Sequence, residues 1–442
     1  MAATSVRNRV MNVLSRMGDK EFQKDYLIKD SAFSREGSQK MSFEDMAMFV
    51  LSNTGKTLSL EILKYFNDTG NAGNTITKQA LSKQRVNIKS QLFVDLNEIY
   101  INEVYKSRRE TFNGYHLLSV DGSTSEIPNT KKLRETFGEA KASQTSSSNA
   151  RASLNGFYDS LNNLMVKLVV DKYQRGEKTV FLENVKSVLK MYEGHKVVFI
   201  FDRGYICLSL LLELEKLGVK YLFRVPSNCF KKEIEATNGD DSTIRIEITK
   251  ERLKKMDLKE QKAYMERGYK DERLLKIPLD TGEIEYLLTN LDENEAPYED
   301  FKDLYFKRWN IEKAFNILKN RLHIENISSR TKNGIEQEIQ ATAFLGNVVE
   351  DMTREINEKI PKKEQNKYEY KVNVNVLSGV LKTYFIYFFC TKAVENGVKA
   401  KYYDEMLKFI KRNILANKVG LKNPRIKRVS RNKHKTNLRR NM

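Results

Sequence analysis

The sequence predicts an α/β protein, and the prediction depends on two observations between residues 115 and 322. Short apolar runs typical of β-strands alternate along the chain with segments whose apolar residues recur at helical spacing. One run, Val197 to Phe201, is apolar without alternation, as expected of a central strand covered on both faces. A highly charged segment interrupts the pattern from 226 to about 283. We therefore expect an α/β core with a mostly β insertion and helical regions at both ends.

The first 110 residues have the character of a helical region. After a glycine- and asparagine-containing loop, the segment from Thr77 to Arg85 carries short polar and basic side chains. Such a segment suits a recognition helix whose side chains contact bases and phosphates, with Lys83 and Arg85 as candidate DNA-binding residues. A solvated helix face without a ligand explains the same pattern equally well.

From Tyr115 onward the elements follow one another closely. Ser143 to Asn149, rich in serine and asparagine, has the composition of a mobile loop. Strands are predicted at 116–120, 154–158, 164–170, 197–201, 221–225 and 285–289, and helices at 177–191, 208–217 and about 298–322.

The charge of the chain favours a polyanionic partner. Lys and Arg number 77 and Asp and Glu 58, which gives 442 residues a net charge of +19. A surface this basic attracts nucleic acid more often than any other polyanion, although an incidentally basic protein is the alternative. The segment 418–442 contains ten Lys or Arg residues and no acid, as is typical of a polyanion-seeking tail.

The cysteines and histidines are scattered and form no ligand motif. Cys207, Cys229 and Cys390 are far apart, which argues against a disulfide framework or a zinc site and suits a reducing cytoplasm. Any catalytic metal must then sit on carboxylates, which favours a hard cation such as Mg²⁺. The most apolar stretch, 376–394, is interrupted by Lys382 and Lys392, so we expect a buried helix there and no membrane span.

Two aspartates lie at the C-terminal ends of predicted strands. Asp121 and Asp202 are each followed by a turn that contains a glycine. In α/β sheets this edge is where functional sites are built. Each aspartate alone is more simply explained as a turn former or a helix cap.

The helix predicted at 298–322 supplies a third carboxylate. At about 100° per residue, Tyr305, Arg308, Glu312 and Lys319 fall within about 60° of one another on one face, beside the apolar stripe. An i,i+4 ion pair between Arg308 and Glu312 is the simpler interpretation, but it leaves Tyr305 and Lys319 unexplained.

This spacing resembles the Y-R-E-K signature of DDE transposases of bacterial insertion sequences, in the insertion-sequence-four group. Asp121-Gly122-Ser123 and Asp202-Arg203-Gly204-Tyr205 are similar to the first and second aspartate motifs of that group. The resemblance covers about residues 110–350.

The resemblance implies an RNase H-like catalytic core with a β-rich insertion between the second aspartate and the glutamate. It implies that Asp121, Asp202 and Glu312 are catalytic and hold two Mg²⁺ ions, which Mn²⁺ can replace. Tyr305, Arg308 and Lys319 would then bind DNA. The domains expected are a helical DNA-binding region (1–110), the catalytic domain (111–228 and 285–350), the insertion (229–284), a helical C-terminal region (351–417) and the basic tail (418–442).

The resemblance further implies a function. The chain would cleave transposon ends at terminal inverted repeats and join the 3′-ends to target DNA, as a homodimer on DNA in a bacterial cytoplasm at the nucleoid. Two alternatives stay open: a metal-dependent nuclease that cannot join ends, and a non-catalytic DNA-binding protein derived from a transposase. Relatives that cleave through a DNA hairpin place a tryptophan in the insertion, whereas the only tryptophan here is Trp309.

Overall fold

A mixed β-sheet forms the centre of the molecule. The computed structural model describes residues 5–34, 40–141, 148–226, 228–254, 256–361, 368–390 and 396–417. Within these ranges nine strands form the sheet: β1 Tyr115–Glu126, β2 Glu139–Lys141, β3 Ser148–Asp159, β4 Leu164–Lys172, β5 Lys196–Phe201, β6 Lys220–Val225, β7 Asp241–Glu247, β8 Tyr269–Pro278 and β9 Ile284–Thr289.

Five of these strands give the sheet its fold class. They lie in the order β4-β3-β1-β5-β6, in which β3 is antiparallel to both β4 and β1 while β1, β5 and β6 run parallel. This is the strand arrangement of an RNase H-like core. The predicted α/β class with such a core is therefore confirmed.

The charged segment between β6 and β9 extends the same sheet. β8 pairs with β9, and β7 pairs with β8 at the edge. In β7, Ile244 and Ile246 are buried while Arg245 and Glu247 are exposed, as the alternation in the sequence predicts. Three short helices complete this segment: α10 Lys231–Glu235, α11 Lys250–Leu253 and α12 Leu258–Arg267.

Helices cover both faces of the core. They are α7 Lys131–Phe137, α8 Glu177–Met191, α9 Leu208–Lys216, α13 Phe301–Phe306 and α14 Trp309–Asn320. The single helix predicted at 298–322 is wrong in one respect, because a tight turn at Lys307 and Arg308 separates α13 from α14. There the backbone N–H of Arg308 donates to Tyr305 O at 3.0 Å, an i,i+3 bond of the 3₁₀ type.

The N-terminal and C-terminal helices pack against each other. The N-terminal set is α1 Val6–Ser15, α2 Lys20–Asp25, α3 Phe43–Leu51, α4 Leu58–Asp68, α5 Lys78–Arg85 and α6 Gln91–Ser107. The C-terminal set is α15 Lys332–Glu358, α16 Val374–Phe389 and α17 Asn396–Arg412, with a hairpin of β10 Glu369–Val372 and β11 Ile414–Asn417. The long helix α15 contacts α1, α3, α6 and β4, so both sets share one core with the sheet.

Three sequence predictions fall wholly or partly outside the described residues. The stretch 376–394 is helical through Phe389 in α16, and 391–395 are not described. Of the predicted loop, Ser148 and Asn149 belong to β3, whereas 143–147 lie outside. The tail 418–442 also lies outside. No helix in the described ranges is both long and apolar enough to cross a membrane.

Candidate active site

The register of the sheet brings the two aspartates side by side. Val120 on β1 pairs with Phe201 on β5, and Asp121 and Asp202 are the next residues on these parallel strands. Neighbouring strands lie about 4.8 Å apart, so the two carboxylates start from adjacent points of one edge. Both side chains are half-buried. This is the edge at which the sequence predicts a site.

A glycine lets the helix with the third carboxylate approach that edge. Gly156 on β3 pairs with Asp121. A Cβ at position 156 would lie 3.2 Å from Cζ of Phe315 and 3.3 Å from Cδ1 of Ile311, so α14 packs directly on the glycine backbone. Glu312 follows Ile311 on α14, so the packing of this helix on Gly156 places Glu312 near the aspartates.

Burial and neighbouring charges together set the protonation of Asp121. Its pKa is raised to about 6, chiefly by burial, and the nearby carboxylates Glu177 and Glu312 raise it further. The Gly122 N–H, which donates to Asp121 Oδ1 at 2.9 Å, and the Arg308 guanidinium act in the opposite direction. Asp121, Glu177, Glu312 and Arg308 therefore lie within electrostatic reach of one another.

Two signature residues contact the carboxylates. The Tyr305 hydroxyl donates to Asp202 Oδ1 at 3.4 Å, and Arg308 donates to Glu312 Oε1 at 2.9 Å. Tyr305 and Arg308 are each only 3% exposed, whereas the side chain of Glu312 is 43% exposed. Arg308 also lies over the ring of the exposed Trp309, at 4.6 Å. The Arg308–Glu312 pair thus has a buried partner and is not a simple surface pair.

The burial of Tyr305 bears on its predicted contact with DNA. At 3% exposure its ring has no free face on which a sugar or base could stack. In this structure the Tyr305 hydroxyl donates a hydrogen bond to Asp202 and so orients that carboxylate. Lys319 is half-buried on α14, one helical turn from the buried Phe315.

Two charged residues at this edge were not predicted from the sequence. Phe201 pairs with Phe223 on β6, so Arg224 follows beside Asp202. Arg224 forms an ion pair of 3.1 Å with Glu285 on β9, and burial raises the pKa of Glu285 while Arg224 and Arg308 lower it. A single arginine within the apolar run Tyr221 to Val225 was the available signal.

Glu177 is a further carboxylate that the sequence did not indicate. It is the first residue of α8 and is exposed. A Cβ on Gly122 would overlap its carboxylate. No spacing motif links Glu177 to the aspartates, because their contact depends on the packing of α8 beside β1.

The carboxylate oxygens at this edge are suitable ligands for a hard divalent cation, but their side chains do not converge on a single point. Across the described ranges, no three His, Cys, Asp or Glu side chains are grouped closely enough to hold a metal ion as they stand. Glu312 is turned toward Arg308 and Asp202 toward Tyr305. Carboxylate oxygens are the ligands that Mg²⁺ prefers, and rotation of these side chains is what binding would require.

The predicted DNA contacts on α5 divide into one accessible residue and one buried one. Lys83 is exposed. Arg85 is 6% exposed and pairs with Glu338 at 2.8 Å, and it also donates to Gln337 and to the carbonyl of Gly334. In this structure the donors of Arg85 tie α5 to α15, and its contact with DNA stays a prediction.

The topology and the paired aspartates place the molecule in the class of RNase H-like proteins. Residues 113–348, more than half of the chain, match the family model described as a transposase DDE domain. The chain therefore belongs to the DDE transposase family.

The other comparisons add less. No curated protein matches the sequence. Among solved structures, the chain is similar to the piggyBac transposase in a cryo-EM structure of its synaptic complex with hairpin DNA. The identity is 11% and the TM-score 0.46, over 93% of this chain and 86% of the other.

Proposed function

We propose that this transposase cleaves transposon ends and joins the freed 3′-ends to target DNA, with Asp121, Asp202 and Glu312 as its catalytic residues. The observation that carries the proposal is the register of β1 and β5, which sets the two aspartates side by side. The packing of α14 on Gly156 supports the choice of Glu312 as the third carboxylate. We assign the chain to the insertion-sequence-four group because Tyr305 and Arg308 contact the same carboxylates.

The three carboxylates would hold two Mg²⁺ ions, with Mn²⁺ as a substitute. Asp121 neighbours Asp202 across β1 and β5 and lies within electrostatic reach of Glu312, so we assign it as the residue that would hold both ions. When bound, such ions lower the pKa of an attacking water or 3′-hydroxyl and stabilise the leaving oxygen of the phosphodiester. Carboxylates that repel one another in the metal-free protein, as those around Asp121 do, are stabilised by that positive charge.

The remaining residues of the site hold these groups in place. Tyr305 donates to Asp202 and fixes its orientation. Arg308 is as little exposed as Tyr305, so its guanidinium would reach phosphate oxygens of the cleaved strand only if the side chain of Glu312 turned away and uncovered it. Lys319 would add a second positive charge on the same helix. None of the three transfers a proton.

Binding to DNA would be distributed over the chain. The exposed face of α5, with Lys83 in the last turn of the helix, is proposed to contact the terminal inverted repeats. The basic tail at 418–442 would add affinity that does not depend on sequence. Two ends must be joined together, so we propose a homodimer on DNA.

The test is cleavage and strand transfer on DNA that carries the terminal inverted repeats, with Mg²⁺. Asp121→Asn, Asp202→Asn and Glu312→Gln each remove a charge and little volume, so each should abolish both reactions and leave binding to end DNA intact. Asp271→Asn is the matched control, because Asp271 pairs with Arg245 on β7 and lies outside the site. Cleavage at the wild-type rate by any of the three variants would disprove the assignment.

The same assay separates the two alternatives. A nuclease would cleave the ends and yield no joined product, whereas a non-catalytic protein would bind the ends and cleave nothing.

A further inference from the structure

Three charged side chains lie in a row across neighbouring strands at the candidate active site. Asp202 follows β5, Arg224 is on β6 and Glu285 is on β9. Because β6 pairs with β5 on one side and with β9 on the other, the order of the charges across the sheet is negative, positive, negative. Neighbouring strands lie about 4.8 Å apart, which is within the reach of an arginine side chain. Either carboxylate is therefore a possible partner for Arg224.

All three side chains lie on the face of the sheet that α13 covers. Side chains alternate between the two faces along a strand, and each of the three is two residues from a core residue in the same cluster as Tyr305 of α13. These core residues are Ile200, Leu222 and Leu287. Burial raises the pKa of the Tyr305 hydroxyl, and the charges of Asp202 and Glu285 raise it further. Arg308 and Arg224 lower it, so the whole row is within electrostatic reach of that hydroxyl.

Arg224 pairs with Glu285 and leaves Asp202 to Tyr305. Arg224 Nε lies 3.1 Å from Glu285 Oε1, and the side chain of Glu285 is only 11% exposed. Asp202 Oδ1 accepts from the Tyr305 hydroxyl, and no ion pair joins Arg224 to Asp202 in the part of the chain that the structure describes. A guanidinium is always charged and can bind a carboxylate through two parallel hydrogen bonds. Without the charge of Glu285, Asp202 is the carboxylate on the neighbouring strand to which Arg224 would turn.

We propose that Glu285 is a positioning residue that holds Arg224 away from Asp202 and so keeps Asp202 available to a divalent cation. The inference rests on the proposed function, because it assumes that Asp202 is a metal ligand. Glu285 does not touch the cation in this role and acts through Arg224. If Arg224 turned to Asp202, a cation would have to break that ion pair before it could bind. A purely structural role for the pair of Arg224 and Glu285 would affect stability and leave cation binding unchanged.

The experiment measures Mn²⁺ binding to the full chain without DNA, by calorimetric titration. Glu285→Gln removes the charge that holds Arg224 and little volume, so the affinity should fall about tenfold or more. Arg224→Gln alone should bind Mn²⁺ as the wild type does, because Arg224 is already held away from Asp202. The double variant should recover the wild-type affinity, since no guanidinium is left to compete for Asp202. A loss of affinity that persists in the double variant would overturn the inference.

Arg224→Gln also distinguishes this role from a general effect of charge. If only the net charge near the site mattered, Arg224→Gln would strengthen Mn²⁺ binding by as much as Glu285→Gln weakens it, and such additive effects would contradict the inference. The matched control is Asp271→Asn, which likewise deprives an arginine of the sheet, Arg245, of its carboxylate partner. It should bind Mn²⁺ as the wild type does. An equal loss in Asp271→Asn would show that the position of Glu285 beside Arg224 is irrelevant.

Asp202→Asn separates failure of this inference from failure of the proposed function. If Asp202→Asn loses Mn²⁺ binding while Glu285→Gln keeps it, the proposed site stands and the role of Glu285 is wrong. If both variants bind Mn²⁺ as the wild type does, the proposed site itself is wrong. Thermal unfolding without metal checks that each variant is folded. Glu285→Thr also removes the charge and suits a β-strand, so it should show the same loss if Glu285→Gln does not fold.

Discussion

At the scale of the residue, Asp121 combines partial burial with two neighbouring carboxylates. Its pKa of about 6, against an ordinary value of 3.8, means that the folded, metal-free protein holds this proton more tightly than the unfolded chain does. Asp121 therefore contributes stability that is fully present below about pH 4 and is lost as the pH rises toward 6. Above pH 6 the folded protein carries an unfavourable buried charge.

Asp121→Asn should remove this dependence on pH. In EDTA at pH 8 the variant should be more stable than the wild type by about 1–2 kcal/mol, after allowance for solvent screening, because it carries no buried charge. Near pH 5 the difference should shrink, since Asp121 is then largely neutral in the folded state. Urea denaturation at both pH values measures the two differences. A wild type that is the more stable protein at pH 8 would contradict the argument.

Arg308 allows a second prediction at this scale. Arg308→Ala should lower strand transfer at least tenfold, and Arg308→Lys should fall in between, because an ammonium cannot reproduce bidentate contact with phosphate. Mg²⁺ dependence should be unchanged in both variants. Arg354→Ala removes an arginine outside the site, together with its ion pairs to Glu358 and Glu110, and is the control.

If Arg308 served only to pair with Glu312, Arg308→Ala would change stability while joining continued at the wild-type rate under saturating Mg²⁺. That result would remove the phosphate role.

At the scale of the element, local patterns were enough to predict most of the core. The predicted helix at 177–191 is α8, and the apolar run at 197–201 lies within β5, because periodicity and burial agree there. The short β2 and α7 were not predicted, since their positions depend on pairing with β3 and packing on it. The break before α14 was also missed, because its dihedral angles stay helical while the bonding changes from i,i+4 to i,i+3.

The residues of the candidate site divide in the same way, into those that a local sequence pattern indicates and those that tertiary contacts bring to the site. Asp121 and Asp202 were found because each follows an apolar run, and Glu312 because its neighbours repeat at helical spacing. The strand end and turn predicted at Asp121 and Gly122 are wrong, because β1 continues to Glu126 by pairing with β3. Arg224 and Glu177 reach the site only through sheet register and helix packing. The ion pair of Arg85 with Glu338 was not predicted, because the sequence shows the charge of Arg85 and not its buried partner on α15. Contacts between distant elements are what the sequence left out.

The approach of α14 to the sheet can be tested through Gly156. Gly156→Val would place new atoms where Ile311, Phe315 and Met165 already lie 3.1–3.3 Å from the Cβ position. We expect a loss of stability of about 1–3 kcal/mol from overpacking. We also expect cleavage to fall far more than that loss explains, because α14 and Glu312 move away from Asp121.

Gly204→Ala is the control for the stability measurement on Gly156→Val. A Cβ at position 204 would meet open space, so no overpacking is expected there. Cleavage by folded Gly156→Val at the wild-type rate would show that the position of α14 matters little to the reaction.

At the scale of the whole molecule, the N-terminal helices are fastened to the catalytic core by buried charges. Asp351 on α15 accepts from Arg9 on α1 at 2.6 Å, from Tyr100 on α6 at 2.7 Å and from Arg108 at 3.2 Å. The side chains of Arg9 and Asp351 are 5% and 2% exposed. A region that would bind DNA is thus joined rigidly to the region that would cleave it.

Removal of Asp351 should therefore affect more than one region. Asp351→Ala leaves the Arg9 guanidinium buried without its counter-charge, which typically costs about 3–5 kcal/mol. We expect one cooperative unfolding transition at a lower urea concentration, with amide protection lost together in α1, α6 and α15. Circular dichroism and hydrogen exchange measure the two effects. The control is Glu358→Gln, which removes an exposed acid from the same helix. Separate transitions, with α1 and α6 unfolding well before the sheet, would mean that the N-terminal helices form an independent unit.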